Sequence, residues 1–256
     1  MPVTDLSVNM NVAALLRNRR EHPWPDLIDL GRIALAAGAA GLTVHPRPDE
    51  RHTRPSDVQA FRALIDREFP GRELNVEGYP DARFLALAKE VRADQVTLVP
   101  DDPAQATSDH GWDFAGERDR LVPIVADLKA HGHRVALFAD AEASMMADAA
   151  ATGTDRVELY TGPYGAAHSE PVAQEAALEA LARAASAAAA QGLGVNAGHD
   201  LTVPGTATLI ARVPSIAEVS IGHALYCDAL TFGMAETVAR YLVSCRVAET
   251  AEASAG

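Results

Sequence analysis

Several things are scarce in this chain. Its 256 residues include two cysteines, Cys227 and Cys245, too few for a disulfide framework and too far apart for a paired metal-ligand motif. Both fall in a helical pattern near the C-terminus, the setting of core or surface thiols. No apolar run is long enough to cross a bilayer, and "MPVTDLSVNMNV" lacks the charged start and apolar centre of a secretory leader. A cytoplasmic protein without membrane contact is expected. Positive charge is short: 22 Lys and Arg against 35 Asp and Glu leave a net charge of −13. That field repels nucleic acid and anionic membrane. Only Lys89 and Lys129 are lysines, so the remaining positive charge is arginine, whose planar fork suits phosphate. No linker rich in Pro, Gly or Ser divides the middle, which points to one domain over residues 1–247 and a frayed tail, "AETAEASAG", over 248–256.

What is present is alternation. Short β-rich runs separate amphipathic segments along the whole chain, the pattern of βα units around a parallel sheet. Strands are predicted at Leu6 to Met10, Leu42 to His45, Leu74 to Glu77, Gln95 to Val99, Arg134 to Ala139, Arg156 to Tyr160, Gly194 to Asn196 and Glu218 to Ile221. Between them, apolar residues recur at helical spacing, as in Leu121, Ile124, Val125 and Leu128. Ser56 is a candidate cap before "DVQAFRALI", and Gly38, Gly153 and Gly192 fall where helices should stop. The Ala-rich stretch from Gln174 to Gln191 reads as one long helix. Eight such units in about 250 residues is the arithmetic of a TIM (β/α)8 barrel, whose active site lies at the C-terminal ends of the strands.

A barrel should therefore carry its chemistry at strand ends. Asn9 and Asn11 follow the first strand, His45 and Arg47 the second, and Glu77 closes the third. Thr107 and Ser108 lie after the fourth, Asp140 after the fifth and Glu158 late in the sixth. Asn196 and His199 mark the end of the seventh, and Gly222 with His223 follows the eighth.

Each has a plainer reading. An isolated histidine such as His45 is most often half-buried and hydrogen-bonded to a loop, but His52, His199 and His223 share the same rim, and imidazole exchanges protons near neutrality. Glu77 could be the partner of a nearby arginine; desolvation would instead raise its proton affinity and make it a usable general base. The glycines of "NAGHDL" and "SIGHAL" could be ordinary turn residues. Alternatively Gly222 and His223, at a helix start, form a phosphate site from backbone N–H groups. Arg17, Arg19, Arg20, Arg47, Arg51 and Arg54 crowd the first two loops, and one or two facing inward would grip a phosphate dianion. The residues alone thus point to a small phosphorylated carbonyl compound handled by acid–base chemistry.

With "LSVNMNVAALLRNRR", "GLTVHPRPDERH", "LNVEGYP", "VTLVPDDPAQATSDHGWD", "VELYTG", "VNAGHDL" and "SIGHAL" in order at similar spacing, the chain resembles the pyridoxine 5′-phosphate synthase family of vitamin B6 biosynthesis over nearly its whole length. The resemblance implies a TIM barrel with additional helical elements, a homo-octamer, and a transferase that needs no metal or other cofactor. It also implies condensation of 3-amino-2-oxopropyl phosphate with 1-deoxy-D-xylulose 5-phosphate to pyridoxine 5′-phosphate, phosphate and water. His45 and Glu77 would be proton acceptors, His199 a proton donor and Glu158 a stabiliser of charged intermediates. Asn9, Arg20, Gly222 and His223 would hold the amino-ketone phosphate; Arg47, His52 and Thr107 would hold the sugar phosphate, under a lid from Pro100 to Trp112.

The chain departs from the commonest family pattern in its first loop, where Asn11 and Val12 stand in place of an Asp-His pair that contacts the sugar phosphate, and at Asp200, often Gly. Asn11 and Asp200 stay candidates for substrate binding by position. Two rivals stay open: a metal-dependent sugar-phosphate isomerase or epimerase with His45, Glu77, Glu158 and His199 as ligands, and a barrel that binds phosphorylated ligands without catalysis, motivated by Asn11 and Val12.

Overall fold

The computed structural model describes residues 3–101 and 108–246. Eight parallel strands close in chain order into a barrel: β1 (Asp5–Asn9), β2 (Gly41–Val44), β3 (Glu73–Gly78), β4 (Gln95–Leu98), β5 (Arg134–Ala139), β6 (Arg156–Tyr160), β7 (Gly194–Gly198) and β8 (Ile216–Ile221). All eight predicted strands are found, with ends displaced by two residues at most. The described residues also form eleven α-helices, three more than one per strand. These are α1 (Asn11–Arg17), α2 (Leu27–Ala36), α3 (Pro55–Glu68), α4 (Ala82–Glu90), α5 (Arg118–Ala130), α6 (Met146–Ala151), α7 (Gly162–Ala166), α8 (Pro171–Ala190), α9 (Val203–Arg212), α10 (His223–Phe232) and α11 (Met234–Ser244). The architecture is a TIM barrel with added helical elements.

Several strands alternate polar and apolar residues, as in "DLSVN", "ELNVEG" and "RVELY", and successive side chains take opposite faces. Leu6, Val8, Leu74, Val76, Val157 and Leu159 are fully buried, in one core cluster with helix residues such as Phe61, Leu121 and Tyr241. On those strands the alternate residues fill the lumen and are mostly polar, whereas β5 contributes Ala136 and Phe138. Gln95 on β4 donates to Glu218 on β8 at 3.4 Å, a contact that must cross the lumen because those strands are not neighbours. Arg156 donates to Asn196 at 2.8 Å, Asn196 to Gln95 at 3.2 Å and Arg134 to Gln95 at 2.9 Å. Asn196 thus lies mid-strand in this lower network, not at the rim as its place in "GVN" implied. Buried polar groups need such partners.

Helix ends follow local chemistry. Asp26 and Asp81 cap α2 and α4 with their carboxylates, and Thr202 caps α9. Gly38, Gly153 and Gly192 have φ of 112°, 83° and 80°, left-handed values that glycine adopts without a Cβ clash. Ser56 does not cap α3: Pro55 opens that helix, Arg54 is its N-cap, and Asp57 accepts from the Arg54 N–H at 2.8 Å. Proline fits a first helical turn, which moves the boundary ahead of the serine.

The layer between α2, α3 and β2 is tight. A Cβ at Gly31 would lie 2.8 Å from Phe61 Cε1 and 3.1 Å from Leu42 Cδ1. Gly31→Ala should therefore lower stability by about 1–3 kcal/mol through overpacking, despite alanine's better helix propensity. Urea denaturation of the variant checks this, and a gain in stability would refute the close packing.

Candidate active site

The C-terminal strand ends surround a cavity of about 440 Å³. Its wall includes Asn9, Asn11, His45, Arg47, His52, Glu77, Ser108, Glu158, His199, Asp200, Gly222 and His223, so residues from seven loops or strand ends meet at one mouth. Two residues that the family resemblance assigned to substrate binding are not among them. Arg20 lies three residues beyond the end of α1, in a turn that carries it to an exposed position outside this lining. Thr107 lies outside the described residues, as do residues 102–106 of the expected lid.

Of the arginines in the first two loops, Arg47 lines the cavity. Arg17 instead makes a two-pronged ion pair with Asp57 at 2.6 and 2.8 Å, and Arg51 pairs with Asp49 at 2.6 Å. Asp140, expected among the chemical groups, accepts from the Gly111 N–H at 3.1 Å and so braces the loop after β4. Trp112 fixes the same loop by donating its indole N–H to Leu98 O at 2.9 Å.

His45 is held at its backbone by the first and second loops. Its N–H faces Asn11 Oδ1 at 3.0 Å and Thr53 Oγ1 at 3.1 Å, and the Thr53 hydroxyl donates to Asn11 Oδ1 at 3.2 Å. Asn11 thereby braces the loop that carries His45 as well as lining the cavity. The His45 ring lies 5.7 Å from that of His52. Burial, then the charges of His52, Arg47 and His199, hold the His45 imidazole well below its ordinary range, so it is neutral near pH 7. Burial and Arg47 bring His52 down to about 4.

Glu77 accepts from Asn9 Nδ2 at 3.4 Å. Burial, then the carboxylates of Glu158, Asp101 and Glu218, push its proton affinity well up; burial brings Glu158 to about 7. Arginine pairing, the alternative raised for Glu77, does not dominate. Beside Glu158 runs Gly198, where a Cβ would fall 2.5 Å from Glu158 Oε1, so glycine makes room for the carboxyl. The next residues, His199 and Asp200, have φ of 87° and 50°, values unusual for residues with a Cβ. They are held there by Thr161, which donates to Gly198 O at 2.6 Å and to His199 O. The His199 ring contacts Phe138 and Tyr160, with centroids 5.6 and 5.2 Å away. Burial lowers its proton affinity, while Asp200 and Asp101 work against that. Three histidines and two carboxyls of shifted affinity in one pocket are the equipment of acid–base catalysis.

The profile of the family described as "Pyridoxal phosphate biosynthesis protein PdxJ" matches residues 6–246. The chain belongs to the PdxJ family. It is 60% identical over 240 residues to a pyridoxine 5′-phosphate synthase of Mesorhizobium japonicum, covering 94% of this chain and 98% of that one. A pyridoxine 5′-phosphate synthase of Brucella anthropi is 60% identical over 239 residues, covering 93% and 98%. Among solved structures, the tryptophan synthase alpha subunit of Legionella pneumophila aligns with a TM-score of 0.63 at 16% identity, over 94% of this chain and 92% of that one. The Amycolatopsis orientalis BexX/CysO complex aligns with a TM-score of 0.63 at 15% identity, over 99% and 92%. These two likenesses concern the barrel alone.

Three lining or adjoining residues of this PdxJ chain escaped the sequence reading. Tyr160 closes β6 and lines the mouth, although "VELYTG" drew attention only through its glutamate. Ser220 also lines it, and its buried Oγ has no hydrogen-bond partner among the described residues; in "SIGHAL" the Gly-His pair overshadowed it. Asp101 is buried against His45 and Arg47, and its signal was a pair of acids directly after a buried strand.

Glu158 makes stability depend on pH. The unfolded carboxyl ionises near 4.5 and the folded one near 7, so its protonated form stabilises fully below pH 4.5 and that contribution is lost as pH rises through 7. Glu158→Gln escapes the loss. Its gain in Tm over the unaltered chain should be small at about pH 4.5 and clear at about pH 8, as thermal melts at both values would show; a gain independent of pH would mean that the carboxyl is ionised throughout.

Proposed function

We propose that this chain is a pyridoxine 5′-phosphate synthase that condenses 3-amino-2-oxopropyl phosphate with 1-deoxy-D-xylulose 5-phosphate, releasing phosphate and water, with His45, Glu77, Glu158 and His199 as its proton-handling groups. The observation that carries the role assignment is the convergence of these four on one cavity, in a member of the PdxJ family. His45, neutral through burial, takes the proton that the amine loses as it attacks the ketone. Glu77 keeps its proton in the unliganded site. It can give that proton to the departing hydroxyl, which leaves as water, and then serve as the acceptor for the next transfer. His199 is drawn toward its charged form when a phosphate dianion enters, since a nearby negative charge favours the imidazolium, and so becomes a donor. Each positioned acid or base is typically worth about a hundred- to ten-thousand-fold in rate.

Gly222 and His223 at the start of α10 offer backbone N–H groups and the positive helix end to one phosphate; a Cβ at Gly222 would crowd Asn9 at 3.3 Å. Arg47 and His52 form the basic wall for the other. Asn9 and Asp200 lie within reach of substrate at the same mouth. Arg20 and Thr107 have only the family resemblance behind their assignment. The metal-dependent rival is not favoured: among the described residues no three His, Cys, Asp or Glu side chains group as metal ligands, and Arg47 intrudes its charge where a cation would sit.

The proposal includes one catalytic domain working in the cytoplasm as a homo-oligomer, an octamer by family resemblance. No helix among the described residues is long and apolar enough to cross a membrane. Leu16, Trp24, Leu230 and Val243 are exposed apolar side chains at 58%, 64%, 85% and 70%, surface that subunit contacts would cover.

Three measurements test this. Incubated with both substrates, the protein should release pyridoxine 5′-phosphate and inorganic phosphate together; tight binding of either substrate without product would favour the binding-only barrel. His199→Asn should cut turnover by about a hundredfold or more while leaving circular dichroism unchanged, because Asn tolerates left-handed φ. Near-normal turnover would remove His199 from the mechanism. Sedimentation equilibrium should return a multiple of the 27.0 kDa chain mass, and a monomer would sink the oligomer.

A further inference from the structure

Asp101 has no part in the reaction as read above, yet its position is constrained from two sides. It is 7% exposed, and a single oxygen, Oδ2, ion-pairs with Arg47 Nη1 and lies 3.5 Å from His45 Nε2. The Ser108 hydroxyl bonds to the same carboxyl. A carboxylate taken out of water persists only with partners of this kind. His45 meanwhile has its backbone N–H fixed by Asn11 and Thr53, so the torsions of its side chain are the freedom that remains. The charged or titratable groups facing that ring are Asp101, Arg47, His52, His199 and Asp49.

We propose that Asp101 is a positioning residue for the base His45: its Oδ2 accepts the Nε2 proton, which fixes the neutral tautomer with Nδ1 bare and ready to take a proton. Arg47 holds the carboxylate in place, and so joins a phosphate-binding side chain to the base through one oxygen. A neutral imidazole bears its proton on one nitrogen only, and the partner of that nitrogen decides which. The 3.5 Å separation is loose for a hydrogen bond, and catalytic contacts of this kind tighten when substrate closes the site. Carboxylates orient catalytic histidines in the same manner in serine proteases, where the amide replacement keeps the shape and reverses the tautomer. In Asp101→Asn the amide oxygen stays at the Oδ2 position, because Arg47 can only donate, and it faces His45 Nε2 there without the charge that held the proton. The weaker acceptor no longer fixes the tautomer, and the ring proton is shared between Nε2 and Nδ1.

The kinetic part of this inference rests on the proposed function; the tautomer part does not. Ring-nitrogen correlation spectra of ¹⁵N-histidine-labelled protein should show His45 protonated at Nε2 in the unaltered chain and divided between Nε2 and Nδ1 in Asp101→Asn, with thermal melts confirming that the variant is folded. His45→Gln assigns the resonance. Turnover in Asp101→Asn should fall about a hundredfold, the lower end of what a positioned base contributes, while KM for the amino ketone changes less than about threefold. An unchanged His45 tautomer overturns the proposal whether or not the protein turns over. So does a variant that raises KM for the sugar phosphate with kcat intact, because Asp101 would then serve Arg47 alone. Should the unaltered chain prove inactive, the synthase reading fails and the spectra still decide the role of Asp101.

Discussion

The organising constraint is the desolvation of acids inside a barrel. Glu77, Glu158 and Glu218 all face a lumen from which water is largely shut out, and like charges so confined cannot all be ionised. Two outcomes follow at different depths. Low in the barrel, Glu218 is met by Arg156 at 3.5 Å and by Gln95, a fixed network with few groups left open. At the mouth, Glu77 has Asn9 as its hydrogen-bond partner and Glu158 has Thr97, and burial leaves both able to carry a proton near neutrality. The same physics thus yields structure at one end and chemistry at the other.

The histidines mirror this arrangement. Removing water disfavours the imidazolium, and Arg47 beside His45 and His52 deepens the effect. A site with reluctant acids and reluctant cations is close to neutral before substrate arrives. On the proposed function, substrates that bring two phosphate groups would supply the charge that changes the protonation of the residues around them, and binding would arm the site.

How much of this could be read from the residues alone differs by scale. The eight strands followed from β-rich runs between helical periods, because parallel strands buried between lumen and helices leave a strong local pattern. The period-two alternation in "DLSVN" and "ELNVEG" is the local trace of the polar lumen, a trace easily passed over because parallel strands covered on both faces more commonly read as unbroken apolar runs. The meeting of His45, Glu77 and His199 was legible because barrel topology brings all C-terminal strand ends to one rim. Which arginine points inward was not. Arg17, Arg47 and Arg51 look alike in sequence, and what separates them is a choice of acidic partner, Asp57 and Asp49 for two of them, set by tertiary distances of a few ångströms. Asn196 was misplaced for a related reason: an end position in a predicted strand of three residues became a middle position once β7 ran on to Gly198.

Asn11 gives the altered first loop a meaning of its own. Its amide oxygen receives both the His45 N–H and the Thr53 hydroxyl, a task that an aspartate could also perform, but with a full negative charge at the doorstep of the imidazole. The amide is an uncharged tether. Loop geometry around His45 is kept while local acidity is spared, and the ring's affinity for protons is left to burial, His52, Arg47 and whatever enters the mouth.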